Sequence, residues 1–141
     1  MNIKKDQIGF VGLGNMGHGI YESLKNKGFN LIGFDKLKNR IPKEQKNTKN
    51  SLDYIFQNCR IIFFCISTND EIFKIIKNNY IVSNTIIIDL TTSLPEKSKL
   101  ISNYLKKFNS FYIDCAMSGG ALGAKKGTLS LMSGGNKSIF L

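Results

Sequence analysis

The chain has 141 residues, 42% of them hydrophobic, and 20 basic against 10 acidic side chains give it a net charge of +10. That length suits one domain with a sizeable core, that hydrophobic fraction suits a soluble globular protein, and no apolar run approaches the roughly 20 residues of a membrane span. The basic excess could indicate nucleic acid or an anionic membrane, but the lysines are scattered through a chain also rich in Asn and Ile, as an AT-rich coding sequence produces. The densest basic stretch, Lys36 to Lys49, has no interleaved aromatics to stack on bases, so neither nucleic acid nor membrane is expected as a partner.

In chain order, Met1 to Asp6 run straight into a first apolar strand, Gln7 to Val11, leaving no room for a signal peptide. A helix from Asn15 to Lys27 comes next, with Met16, Ile20 and Leu24 on one face and Gly28 as its stop. A second strand is expected at Asn30 to Phe34. Leu37 to Asn50 is polar, contains Pro42 and shows no clear third strand; a shortened helix and a poor edge strand are the expectation there. Ser51 can cap a short helix over Leu52 to Asn58. Arg60 to Ile66 is a continuous apolar run, as a strand covered on both faces should be.

Asn69 to Lys77 reads as a helix and Thr85 to Leu90 as another buried strand. Ser93-Leu94-Pro95-Glu96 has the pattern of a capping box with an early Pro, opening a helix that continues to about Lys107. Phe111 to Cys115 is a further strand. A glycine-rich loop, a strand-like Thr128 to Met132, Gly134-Gly135 and a barely begun helix at Asn136 to Leu141 complete the chain. Alternating strands and helices predict a doubly wound, mainly parallel α/β sheet. Cys59, Cys65 and Cys115 lack metal-ligand spacing, and two of them fall in predicted buried strands; reduced structural thiols in a cytoplasm are expected, with no metal site.

The most informative segment is Gly9-Phe10-Val11-Gly12-Leu13-Gly14-Asn15-Met16-Gly17. It places a G-x-G-x-x-G fingerprint between a strand and a helix. Gly12 permits the tight turn, Gly14 lets the backbone approach a pyrophosphate, and Gly17 lets the helix lie close on the sheet. The helix N-terminus then offers free N–H groups and partial positive charge to phosphates. Asp35 stands 23 positions after Gly12, at the end of the second predicted strand. A carboxylate there can accept a hydrogen bond from the ribose 2′-hydroxyl of NAD and repel a 2′-phosphate. The alternative for Asp35 is a plain strand-end turn residue. Lys36, Lys38 and Arg40 beside it leave NADP open. The positive charge of the chain fits attraction of a dinucleotide and an acidic substrate.

The glycine turn resembles the signature of the β-hydroxyacid dehydrogenases, among them 3-hydroxyisobutyrate dehydrogenase, tartronate semialdehyde reductase and, more distantly, 6-phosphogluconate dehydrogenase. Asp89-Leu90-Thr91-Thr92-Ser93-Leu94-Pro95 is similar to the family's D-x-S-T-x-x-P, with Thr91 in place of Ser. Asp114-Cys115-Ala116-Met117-Ser118-Gly119-Gly120-Ala121-Leu122-Gly123-Ala124, continuing through Gly127-Thr128-Leu129 to Met132-Ser133-Gly134-Gly135, resembles the family's D-A-P-V-S-G-G-x-x-G-A-x-x-G-T-L-x-x-M-x-G-G, with Cys115-Ala116-Met117 departing from A-P-V. The resemblance implies a Rossmann fold binding NAD, with NADP open. It implies that Gly12, Leu13, Gly14, Asn15, Met16 and Gly17 hold the pyrophosphate and Asp35 the ribose. Ile66, Ser67 (where the family has Pro) and Thr68 would line the nicotinamide end, Thr92 would touch the nicotinamide ribose, and Ser118, Gly119 and Gly120 would bind the carboxylate and hydroxyl of a small hydroxyacid.

Members of this family are roughly twice as long and form homo-oligomers. Their general acid/base is a Lys in G-x-x-x-K-x-x-x-N on the helix joining two domains. No such motif occurs in these 141 residues. The resemblance therefore implies a cofactor-binding domain over residues 1–141, truncated near its end, without the family's C-terminal helical domain, without a catalytic residue of its own, and with an apolar surface where that domain packs. Lys125 and Lys126 are expected as exposed loop lysines and His18 as an exposed surface residue. A non-catalytic NAD(P)-binding module, an imine reductase-like enzyme and a 6-phosphogluconate dehydrogenase-like enzyme are the alternatives. The 6-phosphogluconate enzymes usually carry Ala at the position of Gly14, and Ser118-Gly119-Gly120 favours the hydroxyacid enzymes.

Overall fold

The computed structural model describes residues 5–45 and 51–139. Six strands form one sheet: β1 (Ile8–Val11), β2 (Leu31–Phe34), β3 (Ile61–Phe64), β4 (Ile86–Asp89), β5 (Phe111–Ser118) and β6 (Ser130–Gly135). Their order across the sheet is β2-β1-β3-β4-β5-β6. The first five are parallel and β6 runs antiparallel to β5. The helices are α1 (Asn15–Asn26), α2 (Leu52–Asn58), α3 (Asn69–Lys77), α4 (Pro95–Lys106) and α5 (Gly120–Lys126), with short 3-10 turns at Lys38–Arg40, Lys43–Gln45 and Lys137–Ile139.

The apolar strand runs are explained by a core on each face of the sheet. Phe64, Ile62 and Ile87 face one side, with Ile55, Ile72, Ile76 and Ile101 from α2, α3 and α4. Phe10, Leu31 and Ile113 face the other, where Tyr21 of α1 packs. β3, central in the sheet, is fully buried on the face of Ile62 and Phe64 and half-buried on that of Ile61 and Phe63, which favours the unbroken Ile61-Ile62-Phe63-Phe64.

The region after β2 holds two 3-10 turns and no strand among its described residues; the part of that expectation covering 46–50 lies outside them. Gln45 closes this segment onto the sheet edge, accepting from the Gly33 N–H at 3.0 Å and donating to the Leu31 carbonyl at 2.9 Å. The Ser51 cap is present, accepting from the Tyr54 N–H at 3.1 Å.

Two local expectations are corrected. The capping box does not form: Leu94 is the N-cap of α4 with no side-chain cap. Ser93 instead donates to Asp114 at 3.0 Å, and Ser98 to the same oxygen at 2.7 Å, because a half-buried carboxylate outcompetes a helix end that water can solvate. The glycine-rich loop after β5 is helix α5. Small residues account for it: a Cβ on Gly19 of α1 would lie 3.0 Å from that of Ala124, so α1 and α5 meet at backbone distance. That close packing offsets the poor helix propensity of glycine. Gly127, at φ 67°, ends α5, with Thr128 N–H bonded to the Gly123 carbonyl at 3.0 Å. Lys125 and Lys126 are exposed, as expected, but on this helix rather than in a loop, and His18 is exposed on α1. Leu122, Leu131 and Met132 stand 65%, 59% and 58% exposed on α5 and β6, beside the exposed Lys125 and Lys126.

Candidate functional site: the cleft at the switch point

From β1 the chain crosses to β2 on one side and returns to β3 on the other, so the connections that leave the C-terminal ends of β1 and β3 part to opposite faces of the sheet. Clefts in open α/β sheets form at such points. Here the cleft is walled by Gly12 and Gly14 after β1, Asp35 after β2, Cys65 and Ile66 after β3, and Glu71 and Ile75 of α3. A second open space continues past the glycine turn, bounded by Asn15 to Gly17, Ile66, Ser67, Thr91, Thr92 and Met117.

The three fingerprint glycines have different reasons. Gly12 has φ +99°, and a Cβ there would sit 2.2 Å from the Cys65 carbonyl oxygen. A Cβ on Gly17 would sit 1.9 Å from the Gly12 oxygen. Both are required by the fold. Gly14 differs: its Cβ would meet only Arg40 Nη1, at 3.8 Å. Protein packing does not explain that glycine; a ligand lying against the turn does. Gly14 is also the N-cap of α1, with no side-chain cap and no acidic residue in the first turn. The leading N–H groups of a 12-residue helix thus face the cleft without a counter-charge from the first turn, which suits a phosphate.

Asp35 is 6% exposed. One carboxylate oxygen accepts from the Leu13 N–H at 2.8 Å and the other from the Leu37 N–H at 2.8 Å. Arg40 Nη1 lies 3.6 Å from the first of these oxygens. The carboxylate is therefore pinned in the cleft wall with lone pairs left over, as an acceptor for ribose hydroxyls must be. Lys36 reaches across to Glu71 at 3.4 Å.

Beyond the turn, Thr91 is held by Asp89. Its N–H donates to Asp89 at 2.7 Å, and its Oγ1 accepts from the Ile66 N–H at 3.3 Å. Asp89 is fully buried and also takes hydrogen bonds from Asn69 Nδ2 at 2.6 Å and from Tyr112 Oη. Burial pushes its carboxyl above the usual carboxylate range, against the lowering effect of the Tyr112 and Thr91 hydrogen bonds. Burial likewise raises the Cys65 thiol to about 11 and Cys59 to about 12. All three cysteines are free.

Ile66, Ser67 and Thr92 come together beside the glycine turn. Thr68 is used otherwise, its hydroxyl capping α3 by accepting from the Glu71 N–H at 3.2 Å. Ser118 ends β5. Asp89 and Asp114 are in register, and β5 runs four residues further, about 13 Å at a strand's rise, on the same edge as the glycine turn. Gly119 at φ 128° and Gly120 at φ 62° turn the chain there into α5. Sequence reading missed Met117, Glu71, Ile75 and the Asn69–Asp89–Tyr112 cluster. Glu71 and Ile75 lie four apart on one face of a predicted helix, and Asp89 and Asp114 each close an apolar run; those were the available signals.

A parallel sheet with an uncapped glycine turn at its switch point and an acid at the end of β2 defines a Rossmann-type dinucleotide-binding domain. Residues 7–141 match the family described as the NAD binding domain of 6-phosphogluconate dehydrogenase, and the chain belongs to that family. Among curated relatives, the probable mitochondrial 3-hydroxyisobutyrate dehydrogenase of Dictyostelium discoideum is 32% identical over 94% of this chain and 44% of that protein. Among solved structures, Mycobacterium tuberculosis 3-hydroxyisobutyrate dehydrogenase with L-serine superposes with a TM-score of 0.86 at 22% identity, over 96% of this chain and 48% of that one. A reductive aminase from Aspergillus terreus in complex with NADPH and ethyl levulinate does so with a TM-score of 0.76 at 12% identity, over 84% of this chain and 43% of that one. The two structural likenesses show the fold. The chain spans about half the length of the relatives it matches. The β-hydroxyacid dehydrogenase resemblance thus holds for the N-terminal, NAD-binding half of such enzymes. Among the described residues, no helix is long and apolar enough to cross a membrane, and no cluster of His, Cys, Asp or Glu could hold a metal.

Proposed function

We propose that residues 1–141 are the cofactor half of an NAD(P)-dependent oxidoreductase acting on a small 3-hydroxyacid of the 3-hydroxyisobutyrate type. The observation that carries this is Gly14, a glycine with open space at its Cβ position on an uncapped helix start, beside a pinned carboxylate. The dinucleotide, when bound, accepts or delivers the hydride. In this reading Gly12 to Gly17 bind its pyrophosphate through main-chain N–H groups, and Asp35 accepts from the adenosine ribose. Ile66, Ser67 and Thr92 border the nicotinamide end, Thr68 serving as the cap of α3 instead, and Asp89 positions Thr91 and through it the Ile66 backbone. Ser118, with the Gly119 and Gly120 N–H groups, takes the substrate carboxylate and hydroxyl. The names of the curated relatives support the hydroxyacid over an imine. The free thiols are compatible with a cytoplasmic setting, although the Dictyostelium relative is named as mitochondrial.

The proton relay lies outside this domain: no residue here is assigned as general acid or base. A positioned one contributes about 10²–10⁴-fold, so the 141-residue chain is expected to bind cofactor without turning over substrate. Calorimetry with NAD and NADP, together with turnover of 3-hydroxyisobutyrate at saturating cofactor, tests both halves. Absence of heat for either dinucleotide with a folded protein rejects the cofactor assignment. Robust turnover rejects the assignment of proton transfer elsewhere and directs attention to Lys125, Lys126 and His18. Activity gained on adding a separately expressed helical domain supports it.

A further inference from the structure

Asn69, Asp89, Thr91 and Tyr112 are all buried, and they come from three elements. Asn69 opens α3, Tyr112 lies on β5, and Asp89 ends β4 with Thr91 just beyond it. Tyr112 stands in register with Ile87, two residues before Asp89, so its ring and the Asp89 carboxylate lie on one face of the sheet. Its surroundings are otherwise apolar: the ring packs in the core cluster that holds Ile87, Ile101 and Leu105. A phenylalanine would fill that place, and a hydroxyl buried there costs free energy unless it has a partner. The partner is Asp89. Tyr112 Oη and Asn69 Nδ2 both donate to Asp89 Oδ2, the amide at 2.6 Å, and Oδ1 is left for the Thr91 N–H at 2.7 Å.

Two donors on one oxygen fix the plane of the carboxylate, and with it the direction in which the other oxygen points. That direction matters because Thr91 ties two loops together. Its N–H is held by Asp89, and its Oγ1 accepts from the Ile66 N–H at 3.3 Å. Thr91 and Thr92 border the space beyond the glycine turn and not the cleft beside Asp35. We propose that Tyr112 is a positioning residue for the nicotinamide end of the cofactor: its hydroxyl, with the Asn69 amide, orients Asp89, which in turn sets Thr91 and the Ile66 backbone. Tyr112 acts from behind the cleft wall, through Asp89. The inference rests on the cofactor-binding reading and extends it to a core residue outside every motif of the site.

The test is calorimetry of NAD and ADP against wild type, Tyr112→Phe, Asn69→Ala and Ile101→Val, with thermal melts and amide exchange followed by NMR. ADP carries the adenosine and pyrophosphate but lacks the nicotinamide end. Ile101 packs in the same core cluster and takes no part in these side-chain hydrogen bonds, so Ile101→Val controls for lost stability. Tyr112→Phe keeps the ring and should fold. It should weaken NAD about threefold to tenfold, as loss of one buried hydrogen bond does, and change ADP by no more than about twofold. Asn69→Ala should act in the same direction, and Ile101→Val should keep the wild-type ratio of NAD to ADP affinity. The Ile66 amide should exchange with solvent faster in Tyr112→Phe than in Ile101→Val. Equal losses of NAD and ADP in Tyr112→Phe overturn the proposal and leave the cofactor reading intact. So does an equal fall of the ratio in Ile101→Val, or an Ile66 amide that exchanges as in wild type. Should Tyr112→Phe fail to fold, Asn69→Ala decides: wild-type NAD affinity there overturns the proposal. Wild type that is folded and binds neither ligand overturns both readings.

Discussion

Gly14 allows binding to be separated from folding. Its backbone, at φ −69° and ψ −169°, is open to any L residue, and the nearest atom to an added Cβ is a mobile Arg40 nitrogen at 3.8 Å. Gly14→Val should therefore fold, losing about 1 kcal/mol or less because glycine is a better N-cap than valine. A branched side chain there fills the place of the pyrophosphate. Withdrawing a phosphate from even two main-chain N–H donors, at about 1.5 kcal/mol each, weakens binding about 100-fold or more. Gly12→Ala is the contrast. It needs φ near +99° and a Cβ 2.2 Å from the Cys65 carbonyl, so it should lose the fold along with binding. Backbone strain alone costs about 1–3 kcal/mol there, before the clash is relieved. Calorimetry with NAD and urea melts of the three proteins decide the matter. Gly14→Val that binds NAD like wild type, or Gly12→Ala that melts like wild type, would refute the division of roles among these glycines.

Asp89→Asn should cost roughly 1–3 kcal/mol, because the carboxylate accepts from three donors and an amide must turn its own NH2 toward one of them. The sign of its pH dependence is fixed by burial. A carboxyl raised above its unfolded value of about 3.9 stabilises the fold below that value, and this stability is lost as pH rises through the folded pKa. The penalty of Asp89→Asn, measured by urea melts at several pH values, should narrow as pH rises from about 4 toward neutrality; a penalty that widens contradicts this. Cys65, raised by burial to about 11, should react with iodoacetamide at pH 7.5 roughly 100-fold more slowly than a free thiol, and bound NAD should slow it further because Cys65 borders the cleft. Mass spectrometry of native labelling checks both, and labelling at the free-thiol rate rejects the half-buried placement.

The sequence alone determined the sheet, because strands covered on both faces must read as apolar runs, and Ile61 to Ile66 and Ile86 to Ile88 do so. It also determined the glycine turn and the place of Asp35, because a turn geometry and a strand end are local properties carried by neighbouring residues. Tertiary structure decided what local patterns cannot. Ser93-Leu94-Pro95-Glu96 has the spacing of a cap, yet Ser93 serves Asp114, 21 residues away in sequence. The glycines after β5 suggest a loop, yet α1 supplies a surface of small residues on which they form a helix. Of three cations after Asp35 it is Arg40, not its neighbour Lys36, that pairs with the carboxylate, because α3 brings Glu71 over to claim Lys36. In each case the energy lies in contacts between residues remote in the chain, and only the packed fold brings them together.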